Sequence, residues 1–155
     1  MTQSEAKKSL DRLLDLLQAG TPDPIRSFLT ELHPADVADL LESLTPDHRV
    51  KTWLQVPDER GGFVLNEVQE AVRAQLIAIT PKDRLVKLIK PLDIDDIADL
   101  VPDVPEHILS DVLYTVGQEA RKGLGEVLSY PEDTAGGLMD LDVIAVREDV
   151  TLEVV

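Results

Sequence analysis

The chain has 155 residues, 30 acidic and 15 basic, no cysteine, and five aromatic side chains: Phe28, Trp53, Phe63, Tyr114 and Tyr130. That length holds about one domain, and 43% hydrophobic composition supplies a core, so disorder is not the default. A formal net charge of −15 argues against nucleic acid as a partner and favours cations or a basic surface, while the missing cysteines exclude disulfides and thiolate metal sites.

The amino terminus is an amphipathic helix rather than a signal peptide. Across residues 4–18, Leu10, Leu13, Leu14 and Leu17 fall on one stripe, and Gly20 follows as a carboxyl cap. Three Thr-Pro pairs, Thr21-Pro22, Thr45-Pro46 and Thr80-Pro81, mark helix starts. Threonine offers a capping oxygen there, and proline fits the first turn, where its missing N–H costs nothing. Residues 33–44 turn Val37, Leu40, Leu41 and Leu44 inward, and Asp36, Asp39 and Glu42 outward. The next helix covers about 46–56, with Val50, Trp53 and Leu54 as its apolar pattern.

A segment from Pro57 carries Phe63, Val64, Leu65 and Val68, but Gly61-Gly62 weakens a helix by about 1 kcal/mol per glycine relative to alanine. Residues 69–79 and 81–90 resume helical spacing, with Val72, Leu76, Leu85, Leu88 and Ile89 as core positions. Residues 93–101 form an acidic helix whose Ala98-Asp99-Leu100-Val101 echoes Ala38-Asp39-Leu40-Leu41 sixty positions earlier. Residues 106–113 match 47–54 in pattern at an offset of fifty-nine, which suggests an internal repeat of helical units that bury their faces by stacking. A further helix is expected over 118–129, a turn over 131–137, and a short strand at Val143, Ile144, Ala145 and Val146. The close, TLEVV, carries no helix stop or polar tail and reads as the interrupted opening of a second domain. No stretch approaches about 18 consecutive apolar residues, so direct membrane insertion by this chain is not expected.

The sharpest chemistry lies at 91–113, where Asp93, Asp95, Asp96, Asp99, Asp103, Glu106 and Asp111 occur without a lysine or arginine. Carboxylates four residues apart share a helix face, so Asp95 and Asp99 can address one cation directly or through its water. Mg²⁺, which takes octahedral oxygen ligands and keeps waters, suits such a pair; a solvated acidic face is the competing reading. Asp36, Asp39 and Glu42 read as an ordinary solvent face, and His33, His48 and His107 as helix-start residues rather than a metal cluster. Neither Ser43 nor Ser129 sits in a nucleophile motif, and the glycine doublets form no phosphate loop, so no enzyme is expected. The basic run Lys82, Arg84, Lys87 and Lys90 has no aromatic interleaving, and Lys87 and Lys90 read as a solvated helix face, with docking to an acidic partner as the alternative.

The acidic helix DIDDIADLV, the junction YPEDTAGGLM and the tail VIAVREDVTLEVV together resemble the cytosolic amino-terminal region of the MgtE family of magnesium transporters. The resemblance implies an all-α right-handed superhelical stack over residues 1–130, with a linker and the truncated beginning of a CBS domain over 131–155. It further implies a regulatory Mg²⁺-sensing domain, on the cytoplasmic face of the membrane, of a homodimeric channel. Ions bound between this domain and the CBS domains of the same polypeptide would neutralise acidic surfaces and favour the closed pore. The family's ligands correspond to Asp95, Asp99 and the backbone of Gly137; its earlier acidic ligand falls at Phe63, and its usual hydroxyl after GGLM is Asp140 here. An acidic helical interaction scaffold without cation sensing is the alternative.

Overall fold

A computed structural model describes residues 3–115 together with residues 125 and 134. Among the described residues the chain is all-α. Helix α1 (Gln3–Ala19) leads into α2 (Pro22–Glu31), α3 (Pro34–Ser43), α4 (Pro46–Trp53), α5 (Asp58–Glu67), α6 (Glu70–Ile79), α7 (Lys82–Ile89) and α8 (Ile94–Leu100). A 3-10 turn (Val101–Asp103) and α9 (Glu106–Thr115) complete the set. No described helix is long and apolar enough to cross a membrane. The expected helix over 118–129, the turn, the strand and the CBS-like tail lie outside the described residues.

From α2 onward the first residues are Pro22, Pro34, Pro46, Asp58, Glu70, Lys82, Ile94 and Glu106, each twelve positions after the last. Two helices make a 24-residue hairpin, and the hairpins stack: α1 packs on α3, α3 on α5, α5 on α7, and α7 on α9. The core keeps the same period. Leu40, Val64 and Leu88 are equivalent and buried, as are Leu41, Leu65 and Ile89 in the same layer, and Phe28, Thr52, Leu76 and Leu100 in the other. The sixty-residue echo is therefore a multiple of the helix spacing, but it pairs α3 with α8, a helix of the odd-numbered layer with one of the even-numbered layer.

The glycine doublet has a packing cause. Gly61 and Gly62 are buried inside α5 where it crosses α7, and a Cβ on Gly61 would sit 2.6 Å from the Leu88 side chain. On Gly62 it would overlap the carbonyl oxygen of Leu88, a backbone atom with nowhere to go. The helix gives up propensity so that two backbones can meet. Gly20, with φ of 72°, ends α1 as expected, its N–H returning to the carbonyl of Leu16 at 3.3 Å.

Two sequence expectations need correction. The Thr-Pro pairs do mark the starts of α2, α4 and α7, but neither Thr21 nor Thr45 caps through its side chain. Proline at the first position has already removed one of the amides that would need a partner. Thr80 is buried and uses its hydroxyl elsewhere: it accepts from the Nε1–H of Trp53 at 2.8 Å and donates to the carbonyl of Leu76 at 2.6 Å. Trp53 of α4 is fully buried whereas Val50 and Leu54 are exposed, so of the three only Trp53 enters the core.

Arginines close the helix ends. Arg84 of α7 donates to the carbonyls of Trp53 and Val56 behind α4, at 3.1 and 2.8 Å, and to Asp58 at 2.9 Å. Its repeat mate Arg60, 24 positions earlier, does the same for α2, donating to Thr30 at 2.6 Å and to Leu32. Each guanidinium satisfies carbonyls that helix termination leaves without an intrahelical donor.

Candidate functional site

The acidic helix α8 is anchored from below. Ile97, Ala98 and Leu100 are buried, and the helix packs on α5. Asp93 is its N-cap, accepting from the N–H of Asp96 at 3.4 Å, and Asn66 of α5 donates its side-chain amide to the carbonyl of Asp96 at 3.2 Å. Asp95 is half-buried and Asp99 exposed, one turn apart on a helix whose inner face is fixed. Between them in sequence, Asp96 has its carboxyl pKa raised, first by burial and then by the charges of Asp93 and Asp99 and a hydrogen bond with Asp93, with an Asn66 hydrogen bond pulling the other way.

Asp99 opens onto a cleft of about 260 Å³ shared with Glu70, Arg73, Pro102 and Asp103. Arg73 of α6 crosses to the 3-10 turn, where its Nε lies 2.5 Å from an Asp103 oxygen, and both side chains are largely covered. Sequence reading missed Arg73. Its trace in the sequence is a lone charged residue in the otherwise uncharged segment 71–79, 24 positions after Arg49, which also reaches out of its own helix, to the carbonyl of Leu41 at 2.8 Å.

Carboxylate oxygens are the donors Mg²⁺ takes, and Asp95 and Asp99 supply that class from one rigid element. Two such residues leave most of an octahedral shell to water or other groups. Among the described residues no group of three or more His, Asp or Glu side chains is placed to hold a metal ion. Gly137 and Asp140 lie outside the described residues. Phe63, on α5, is 37% exposed.

Two of the other acidic and histidine candidates have local employment. Glu42 accepts from the backbone N–H of Gln69 at 2.7 Å, at the entrance to α6, and His33 caps α3 by accepting from Ala35 N–H at 3.3 Å. On α7, Lys82 pairs with Asp111 and Arg84 with Asp58, while Lys87 and Lys90 are exposed beside Asp58 and Glu59 in a second cleft.

A stack of 24-residue helical hairpins with an acidic outer helix defines an all-α, repeat-like module. A family model described as the MgtE intracellular N domain matches residues 32–133, about two thirds of the chain, and the chain belongs to that family. The magnesium transporter MgtE of Thermus thermophilus is 32% identical over 147 residues, covering 91% of this chain and 32% of that protein. The magnesium transporter MgtE of Bacillus subtilis is 23% identical over 144 residues, covering 92% and 32%. The chain thus spans about a third of the length of these relatives. The crystal structure of the cytosolic domain of the Mg²⁺ channel MgtE in complex with ATP superposes with a TM-score of 0.77 at 29% identity, covering 92% of this chain and 58% of that one. That of the soluble part of a magnesium transporter gives 0.68 at 17% identity, covering 86% and 53%, a likeness of fold alone. These relatives are named for transport and not for catalysis, in keeping with the absence of a nucleophile motif from the sequence.

Proposed function

We propose that this chain is the Mg²⁺-sensing regulatory domain of an MgtE-type magnesium transporter, on the cytoplasmic face of the membrane. The supporting observation is the pair Asp95 and Asp99, one turn apart on a helix held rigid by its buried face, within a stretch that carries no lysine or arginine. Asp95, Asp99 and the backbone of Gly137 are this chain's share of an interdomain Mg²⁺ site. The CBS domains of the same polypeptide supply the opposing ligands, and the full-length protein is a homodimer. In this reading residues 1–130 form a right-handed superhelical domain and 131–155 the linker and start of the first CBS domain.

The chemistry is electrostatic. Without ions, acidic faces repel across the interdomain gap; hydrated Mg²⁺ between them replaces repulsion with shared coordination and draws the domains together, favouring the closed pore. Asp95 and Asp99 hold their part of the ion shell and hydrogen-bond its waters.

Titrating the full-length protein with Mg²⁺ while following protection from limited proteolysis tests this. The Asp95→Asn plus Asp99→Asn variant is expected to need several-fold more Mg²⁺ for half-protection. An unchanged midpoint and unchanged compaction would sink the ligand assignment.

A second reading is favoured by a small groove of about 190 Å³ lined by Leu17, Ile25 and Leu54, the last 49% exposed. It makes the domain an interaction scaffold with incidental acidity, and it requires a partner that binds equally well with and without divalent cations.

A further inference from the structure

The cleft beside Asp99 contains more than acids. Three carboxylate residues line it, Glu70, Asp99 and Asp103, and Arg73 is the cationic residue among them. Residues 91–113 carry no positive side chain, so this charge is delivered from α6, and the ion pair with Asp103 at 2.5 Å keeps it there. Arg73 and Asp103 are only 17% and 12% exposed, so the guanidinium is placed in the cleft rather than sampling solvent. A guanidinium keeps its charge at every accessible pH.

We propose that Arg73 is a positioning residue that sets the Mg²⁺ threshold of the Asp99 site by acting as a tethered counter-charge. The proposal rests on the Mg²⁺-sensing reading of Asp99. Without Arg73, the cleft would carry three carboxylates and no positive charge, and an ion arriving at Asp99 would meet negative charge alone. With Arg73 in place, one carboxylate is matched and an arriving ion meets a fixed positive charge. Asp99 therefore fills only when ligands from outside the helical domain add their own attraction, which ties ion occupancy to domain closure rather than to the helical domain alone. A unit charge acting on a divalent ion across a wet cleft changes affinity by about three- to tenfold.

The test uses the full-length protein, MgCl₂ as titrant, and the proteolytic-protection midpoint as readout, with circular dichroism as a check of folding. Arg73→Gln is expected to lower the midpoint by about three- to tenfold, and Asp103→Asn, which leaves Arg73 without its partner, to raise it by a similar factor. The double variant is expected within about twofold of the parent, since it removes a neutral pair. Arg73→Lys, which keeps the charge, is expected to stay near the parent midpoint. Raising the salt is expected to shrink each shift. A folded Arg73→Gln protein with the parent midpoint overturns the proposal when Asp99→Asn is shifted; an unshifted Asp99→Asn overturns the underlying Mg²⁺ reading instead. Should Arg73→Gln not fold, Asp103→Asn decides alone: a midpoint that fails to rise overturns the proposal.

Discussion

The indole N–H of Trp53 donates to the hydroxyl of Thr80 at 2.8 Å, and that hydroxyl donates in turn to the carbonyl of Leu76 at 2.6 Å. The relay joins α4 to the end of α6, from one hairpin to the next, at a point where Trp53 is wholly shielded from water. Removing the hydroxyl strands a buried indole donor, a loss of about 1–3 kcal/mol. Thr80→Val is expected to lower the urea midpoint accordingly, and Thr80→Ser to keep most of the stability. Equal losses in the two variants would place the effect in packing rather than in the hydrogen bonds.

The α5–α7 crossing gives a prediction of opposite sign to helix propensity. Alanine in place of glycine inside a helix normally gains about 1 kcal/mol. At Gly62 the added methyl overlaps the backbone oxygen of Leu88, so Gly62→Ala is expected to destabilise by about 1–3 kcal/mol. At Gly61 the obstacle is the movable end of the Leu88 side chain, so Gly61→Ala is expected to cost less. Thermal denaturation of the two variants side by side checks the ranking.

Arg84 stacks over the Trp53 ring at 5.2 Å while its guanidinium holds the carbonyls of Trp53 and Val56. Arg84→Met leaves partly buried carbonyls without a charged donor, and a loss of about 2–3 kcal/mol is expected. Arg60→Met, the equivalent change one hairpin earlier, is expected to cost a comparable amount. Because Arg60 and Arg84 close different hairpin interfaces, their costs should add in the double variant; chemical denaturation of both singles and the double measures this.

Helix starts and apolar stripes were legible because proline, threonine and three-four spacing act within one turn. Burial within those stripes was less so: Leu13 is fully buried, while Leu10, Leu14 and Leu17 are only partly covered, since which side of a stripe meets its neighbour depends on the stack. The 24-residue period stayed hidden because several of its equivalent positions share burial rather than identity or size, as Thr52 stands for Leu76 and Leu100. The Asp95/Asp99 face followed from helical spacing alone. Arg73 did not, because its partner Asp103 is thirty positions away and only the packing of α6 against the 3-10 turn brings them together.

Asp96 carries a pH dependence whose sign can be worked out. Its folded pKa lies above the ordinary aspartate value near 3.8, with burial as the first cause. Below the ordinary value both folded and unfolded chains hold the proton, and the residue is neutral to stability. As pH rises from there through the folded pKa, the unfolded chain gives up its proton first, so stability from this group falls and then levels off. In Mg²⁺-free buffer, Asp96→Asn is expected to raise the melting temperature relative to the parent at neutral pH. That advantage should vanish below about pH 3.8. An advantage independent of pH would show that charge is not its source.

The two proposed ligands sit at opposite ends of α8, and the helix treats them differently. Asp95 lies in the first turn, where a negative charge is favoured by the exposed amides, whereas Asp99 is next to the last residue, where the carbonyls disfavour it. Asp99 also shares its cleft with Glu70 and Asp103, and Arg73 is already paired with the latter. Without divalent ions and at low salt, Asp99→Asn is expected to stabilise the folded domain by about 0.3–1 kcal/mol, and Asp95→Asn to leave it unchanged or slightly weaker. Adding Mg²⁺ to the full-length protein should erase the Asp99→Asn advantage, because the ion neutralises in the parent the charge that the substitution removed. Melting curves in EDTA and in MgCl₂ read both effects, and an Asp99→Asn advantage that persists in MgCl₂ would mean that the ion does not reach this carboxylate.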